Sequence, residues 1–242
     1  MDMVTKKSRT VIFITFMVLF VLAAPAVILY SEGYRVDFVS KKVTQTGAFY
    51  LKGAPRAEVY LNGEFQDNTS LLGNSILIKN LLPRSYEVEL KKDGYHSWKK
   101  TLAVKKKEVT KAGGVILFPL KPNFTIINQK FPQTVNSATS SDKKMTVGKK
   151  EHEIWVYSVK DQEKIFLTRF SEDIGDIFWL TNNYLIFNVG NKIKIAETDD
   201  RDKLNIIDLA EFADPKISWN QNSRKLYVSS GGKVYLIENL LP

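Results

Sequence analysis

The chain has 242 residues and a formal net charge of +9, with 35 lysines and arginines against 26 aspartates and glutamates. It contains no cysteine, which excludes structural disulfides, thiolate metal sites, a thiol nucleophile and lipid attachment through an N-terminal cysteine. No phosphate-binding loop, dinucleotide fingerprint or nucleophile elbow occurs, so we expect no cofactor.

Residues 11–30 carry no charge and form a predicted membrane-spanning helix. At about 1.5 Å per residue, such a helix matches a hydrocarbon core of roughly 30 Å. Lys6, Lys7 and Arg9 lie in the basic segment 1–10, which predicts a cytoplasmic N-terminus and an extracytoplasmic bulk at the cell membrane. The sequence Ala24-Pro25-Ala26 also fits a signal-peptide cleavage site, so a retained anchor and a cleaved signal are both open.

Residues 31–40 are predicted to be a linker, and residues 41–121 a small antiparallel β domain. The alternating run 57–61 is followed by Asn62-Gly63, a strong hairpin signal. In residues 85–90, apolar side chains alternate with polar ones, which predicts a strand with one buried face.

Three segments of this domain together resemble the PEGA domain family. They are residues 53–63 (GAPRAEVYLNG), 81–88 (LLPRSYEV) and 93–98 (DGYHSW). Two positions depart from the family pattern: the name-giving tetrapeptide is Ala-Pro-Arg-Ala, and Arg84 stands where the family has a glycine. The resemblance implies an immunoglobulin-like β-sandwich on an exported or surface-anchored prokaryotic protein, without catalytic residues.

Five residues of this domain are candidate contacts for a ligand or partner: Tyr95, Trp98, Lys105, Lys106 and Lys107. The two aromatic residues have the spacing of core and turn-packing side chains, and the alternative is an exposed sugar-binding platform. The lysines, with Lys99 and Lys100, flank one strand, where we expect solvated charges that block sheet-to-sheet aggregation.

The basic surface has two interpretations. It either keeps the protein soluble or attracts lipid headgroups or acidic wall polymers without specificity. We expect no nucleic-acid partner, because no recognised binding motif accompanies the charge.

Residues 122–242 contain an internal repeat. Trp179 and Trp219 lie 40 residues apart, which we take as the period of the repeat, and residues 135–138 fall one such period before Trp179. Residues 219–228 (WNQNSRKLYV) resemble a turn of Tol-type and WD-repeat-like propellers, and residues 140–144 (SSDKK) resemble it more weakly. A period near 40 with about four strands is typical of propeller blades, which predicts a partial β-propeller of about three blades.

Three blades are fewer than the four to eight of closed propellers. An open stack of blades, assembly with a second chain, or a longer parent protein would each explain this number. We expect the last copy to lack its fourth strand, and exposed blade edges indicate self-association.

Other motifs predict no site. His96 and His152 are expected at the surface, and neither has a carboxylate at metal-ligand spacing. Residues 199–202 (DDRD) lack the calcium-loop pattern and are predicted to be a charged turn. Gly113-Gly114 and Gly231-Gly232 are predicted turn glycines.

The sequence therefore predicts a mainly β protein with an N-terminal transmembrane helix, a sandwich and a partial propeller. Its predicted function is non-enzymatic: a membrane-anchored binding or structural protein of a prokaryotic envelope that engages a protein or a polysaccharide. The alternative is an envelope hydrolase with its site on the propeller face.

Overall fold

The structure, a computed structural model, describes residues 6–132 and 138–242. It is 51% strand and 11% helix, which confirms the predicted mainly β class with one N-terminal apolar helix. Helix α1 spans Lys6–Ser31 and is long and apolar enough to cross a membrane.

The strands of the described ranges follow α1 in chain order. The first nine are β1 Tyr34–Asp37, β2 Lys42–Gln45, β3 Gly47–Ala54, β4 Glu58–Leu61, β5 Glu64–Asn68, β6 Ser75–Leu81, β7 Ser85–Lys91, β8 Trp98–Ala103 and β9 Val109–Ile116. The others are β10 Thr125–Ile127, β11 Met145–Lys150, β12 Glu153–Ser158, β13 Lys164–Arg169, β14 Ile174–Thr181, β15 Tyr184–Val189, β16 Lys192–Glu197, β17 Ile206–Glu211, β18 Lys216–Asn220, β19 Lys225–Ser230 and β20 Lys233–Ile237.

The chain divides into two compact units. The first comprises residues 1–50, 77–85 and 103–111, and the second comprises residues 51–76, 86–102 and 112–242. The boundary predicted near residue 121 stays a prediction.

In the first unit, a two-stranded hairpin of β1 and β2 follows α1 directly. The segment 31–40, predicted to be a linker, therefore contains a strand. Gly33 takes a positive φ of 83° just after the helix, a conformation that glycine adopts without strain at helix ends. The Arg35 guanidinium stacks 3.6 Å from the centre of the Tyr30 ring and donates to the Tyr30 carbonyl, which satisfies one of the last helical carbonyls.

The region from β3 to β9 forms two sheets, with strand orders β5-β4-β7-β8 and β6-β3-β9. Asn62 and Gly63 form the β4–β5 turn with φ of 50° and 81°, which confirms the predicted hairpin. In β7 the side chains of Tyr86, Val88 and Leu90 are buried, as their alternation predicted.

The described residues after Lys121 form three sheets. Two are antiparallel sheets of consecutive strands, β11-β12-β13 and β14-β15-β16-β17. Ala138 and Ser140 make backbone hydrogen bonds with Val147 and Met145, so the chain at 138–140 runs beside β11. The rest of the first predicted copy, residues 135–137, lies outside the described residues.

The third sheet has the order β10-β20-β19-β18. Its fourth strand, β10, comes from the start of the region and pairs antiparallel with β20. The last repeat therefore supplies only three strands of its own, as predicted, and β10 takes the fourth place in its sheet. The pairing joins Thr125 to Leu236, which are too far apart in sequence for a local pattern to reveal it.

The sheet β14–β17 is buried on both faces. Ile186 and Ile195 belong to one apolar cluster, together with residues of β18 to β20. Leu185 and Phe187 point to the other face and pack with residues of β11 to β13. This sheet is thus the middle layer of the region, which explains why β15 is apolar at successive positions rather than alternating.

Candidate functional site

A buried ion pair joins β8 to the end of β16 within the second unit. Lys100 Nζ lies 2.6 Å from Glu197 Oε1, and the two side chains are 0% and 4% exposed. Lys100 Nζ also donates to the Asp199 carbonyl at 2.7 Å. The expectation that Lys100 is a solvated edge charge is therefore wrong.

The Glu197 carboxylate accepts three further hydrogen bonds. Trp98 Nε1 donates to Oε2 at 2.7 Å, and Asn205 donates to Oε1 from its backbone nitrogen at 3.1 Å and from Nδ2 at 2.8 Å. A buried carboxylate is tolerated when its oxygens are paired and hydrogen-bonded in this way. The cluster formed by Trp98, Lys100, Glu197 and Asn205 is called the buried polar cluster below.

Strand periodicity places both charges inside. Trp98, Lys100 and Leu102 alternate along β8 and share its buried side. Ile193, Ile195 and Glu197 do the same along β16. This alternation alone indicates that Lys100 and Glu197 are buried. Lysine and glutamate are usually exposed, however, and the prediction for Lys100 followed that tendency.

The charged segment 199–202 lies in the loop between β16 and β17, which confirms its predicted position between two strands. The Asp202 carboxylate accepts a hydrogen bond from the Thr101 backbone nitrogen at 2.6 Å. Arg201 Nε and Nη2 both donate to the Asp199 carboxylate. The loop is therefore fixed to β8 by side-chain and main-chain contacts.

A cavity of about 440 Å³ opens beside the buried polar cluster. Five separate segments of the second unit line it: Trp98, residues 112–115, residues 142–145 in part, residues 182–184 and residues 197–201 in part. Its volume is in the range of small-molecule sites. Carboxylate, amide, ammonium, guanidinium and hydroxyl groups all occur in the lining, so it offers both donors and acceptors.

Gly113 and Gly114 line the cavity, and Gly114 is the one whose conformation favours glycine. They lie inside strand β9, so the prediction of a turn at this pair is wrong, whereas Gly231-Gly232 does form a turn. Gly114 has a φ of 76°, and a β-carbon there would collide with the side-chain amide of Asn183. A side chain at 114 would therefore be strained by the positive φ and would displace the Asn183 side chain from its place in the β14–β15 turn.

The five predicted contact residues differ in their burial. Trp98 is 3% exposed and belongs to the buried polar cluster, so it cannot offer an open aromatic platform. Tyr95 is half-buried, and Lys105, Lys106 and Lys107 are exposed in the loop between β8 and β9. Their role in binding a ligand or partner stays a prediction.

The histidines and carboxylates give no metal centre in the described ranges. Within residues 6–132 and 138–242, no group of three or more histidine, aspartate or glutamate side chains is placed to hold a metal ion. His96 is half-buried rather than exposed, and this burial lowers its pKa.

The lowered pKa of the Asp199 carboxyl predicts that the protein loses stability in acid. Burial would raise its pKa, but the hydrogen bonds from Arg201 outweigh this effect and hold the pKa below 3.8. The ionised form therefore stabilises the fold above about pH 4, and this stabilisation disappears as the pH falls through the lowered pKa. We expect Asp199→Asn to destabilise the protein at pH 6 and to have less effect at pH 2.5, as measured by urea denaturation. An equal loss of stability at both pH values would contradict this prediction.

Comparison of the sequence with known protein families finds no match. Comparison with curated proteins likewise finds no match.

Proposed function

We propose that this chain is a single-pass membrane protein of a prokaryotic envelope whose extracytoplasmic part binds a polysaccharide. Helix α1 is the anchor, with the basic segment 1–10 in the cytoplasm. The sheets of β3 to β9 form a PEGA-like sandwich, and the three later sheets are blades of a partial propeller. The sequence resemblances and the length and apolar character of α1 support this assignment.

The observation that carries the binding function is the cavity beside the buried polar cluster. Sugar hydroxyls both donate and accept hydrogen bonds, and the lining supplies both kinds of group. Lys144 and Arg201 are donors, Asp142 is an acceptor, and Asn182 has both functions. The buried ion pair holds the loop that carries Arg201, so this wall of the cavity is pre-organised, which lowers the entropic cost of binding.

Self-association is a second way for the sheets to engage a partner. In the described part of the chain, β13 and β17 each lie at one edge of their sheets. Such strands offer unpaired backbone groups to another copy.

The alternative function, an envelope hydrolase, has less support. A general acid for glycoside hydrolysis needs a raised pKa. The hydrogen bond from Ser140 lowers the pKa of Asp142, and Arg201 lowers that of Asp199 against the effect of burial. Glu197 is committed to the buried polar cluster. These three are the carboxylates of the cavity lining.

The test is a glycan array probed with the full chain in detergent. We expect binding to a defined class of envelope glycans, and Lys144→Gln to weaken it about tenfold, because one hydrogen bond from a charged donor is lost. Lys143→Gln is the matched control, since Lys143 is the adjacent exposed lysine and does not line the cavity. Tyr95→Ala tests whether Tyr95, the predicted aromatic contact that is not fully buried, takes part in glycan binding.

Binding that survives Lys144→Gln and Arg201→Gln unchanged would contradict a role for the cavity. If no glycan binds and affinity purification from envelopes instead yields a protein that Lys144→Gln releases, the partner is a protein and the polysaccharide proposal is wrong.

A further inference from the structure

The positive charge of the chain is concentrated in the first unit. In residues 32–50, 77–85 and 103–111, nine lysines and arginines accompany three acidic residues, a net charge of +6. The second unit, although much larger, has 23 basic and 22 acidic residues, a net charge of +1. If the positive charge served only to keep the protein soluble, we would expect it to be spread over both units.

Hydrogen bonds place the lysine loop near the end of α1. Gly33, two residues after the helix, accepts from the Thr46 backbone nitrogen at 2.9 Å and from its hydroxyl at 2.8 Å. The Thr46 carbonyl in turn accepts from the Lys107 backbone nitrogen at 3.0 Å. Through Thr46, hydrogen bonds thus connect the exposed loop Lys105–Lys107 to Gly33, which lies just after the end of the helix.

The hairpin of β1 and β2 adds an exposed apolar surface to the same unit. Phe38 and Val39 at its tip are each 85% exposed, and the paired residues Val36 and Val43 are 51% and 58% exposed. The tip is nevertheless ordered, because the Asp37 carboxylate accepts hydrogen bonds from the Val39 nitrogen at 3.1 Å and the Ser40 hydroxyl at 2.7 Å. Lys41 and Lys42 follow the tip after Ser40.

We propose that the β1–β2 hairpin and the Lys105–Lys107 loop bind the anionic headgroups and outer acyl region of the membrane that α1 spans. Apolar side chains exposed on an ordered tip, with lysines beside them, are typical of surfaces that lie in a bilayer interface. Lysines close to anionic lipid attract it over about one Debye length, and the short connection to α1 keeps this surface within that range. The proposal rests on α1 being a membrane anchor.

The absence of cysteine allows a direct test with the full chain. Val39→Cys, labelled with a fluorophore sensitive to its environment, is reconstituted into nanodiscs of anionic or of zwitterionic lipid. We expect a blue-shifted emission that lipid-borne nitroxide quenches and aqueous iodide does not, more strongly in the anionic discs. Replacing Lys105, Lys106 and Lys107 with glutamine is expected to remove the difference between the two lipids.

The matched control changes the same amount of charge in the second unit. Lys160, Lys216 and Lys233 are exposed there, and their replacement with glutamine is expected to leave the difference between the lipids intact. An equal loss in both triple variants would show a general charge effect and overturn the role of the Lys105–Lys107 loop.

Two outcomes separate this proposal from the anchor on which it rests. If the chain floats with the nanodiscs but the label stays in water in both lipids, the hairpin proposal is wrong and the anchor stands. If the chain does not remain with lipid at all, both are wrong. Binding of the full chain to immobilised poly(glycerol phosphate), with the label aqueous in anionic discs, would assign the lysines to an acidic wall polymer and overturn the proposal.

Discussion

Replacing Lys100 with methionine is expected to lower the free energy of unfolding by about 3–5 kcal/mol, because the substitution leaves the Glu197 carboxylate buried without its cation. The Glu197 oxygens keep their bonds to Trp98 and Asn205, but these neutral donors do not balance the charge. The measurement is guanidinium unfolding of the full chain in detergent, followed by tryptophan fluorescence.

Two further variants separate charge from packing. Lys99→Met is the matched control: the Lys99 side chain is 48% exposed and lies 3.2 Å from Glu87, so its loss should change stability by less than about 1 kcal/mol. In the double variant Lys100→Met/Glu197→Gln, no buried charge remains, and part of the stability should return. If the effects of Lys100→Met and Glu197→Gln were additive, the two side chains would not be coupled, and the energetic role of the ion pair would be refuted.

Gly47→Ala is expected to destabilise the protein by about 3 kcal/mol, because the added methyl group has no room beside the lysine loop. A β-carbon at Gly47 would lie 2.8 Å from the Glu108 carbonyl oxygen and 2.7 Å from Val104 Cγ1, and it would also collide with the Lys105 carbonyl. Two of these neighbours are backbone atoms, which cannot move aside as a side chain can. Guanidinium unfolding gives the loss of stability.

Tryptic cleavage after Lys105, Lys106 or Lys107 provides a local measure of the same change. The loop must open to relieve the clash, so we expect faster cleavage there in Gly47→Ala than in the parent chain. Gly113→Ala is the control, since no atom lies within 4 Å of its added methyl group, and its stability should stay within about 1 kcal/mol. Equal stability of the two alanine variants would show that the contact at Gly47 is not tight.

The local elements could be predicted from the sequence where short-range chemistry determines them. Asn62-Gly63 takes the positive φ values that its hairpin requires, and the alternation in β7 gives its buried face. The repeated tryptophans mark equivalent strands, since Trp179 lies in β14 and Trp219 in β18. The hairpin and the alternation depend on neighbours within a few residues, and the tryptophans were found because the pattern recurs along the chain.

The candidate site could not be predicted in the same way, because its parts come from distant segments. The buried polar cluster pairs Lys100 with Glu197, and the cavity takes its lining from five places in the chain. Alternation indicates that Lys100 faces inward, but it does not identify the partner. The polarity of lysine predicts that the Lys100 side chain is exposed. It is buried because it pairs with the Glu197 carboxylate, which lies almost one hundred residues away in the sequence.

The pairing of β10 with β20 has a consequence for the order in which the protein is made. Ribosomes synthesise proteins from the amino end, so Thr125–Ile127 emerges long before its partner, Lys233–Ile237. Until then β10 lacks its native neighbour, so this sheet can close only after β20 has been synthesised. Non-local pairings of this kind slow folding, so we expect this sheet to form later than the sheets that are built from consecutive strands.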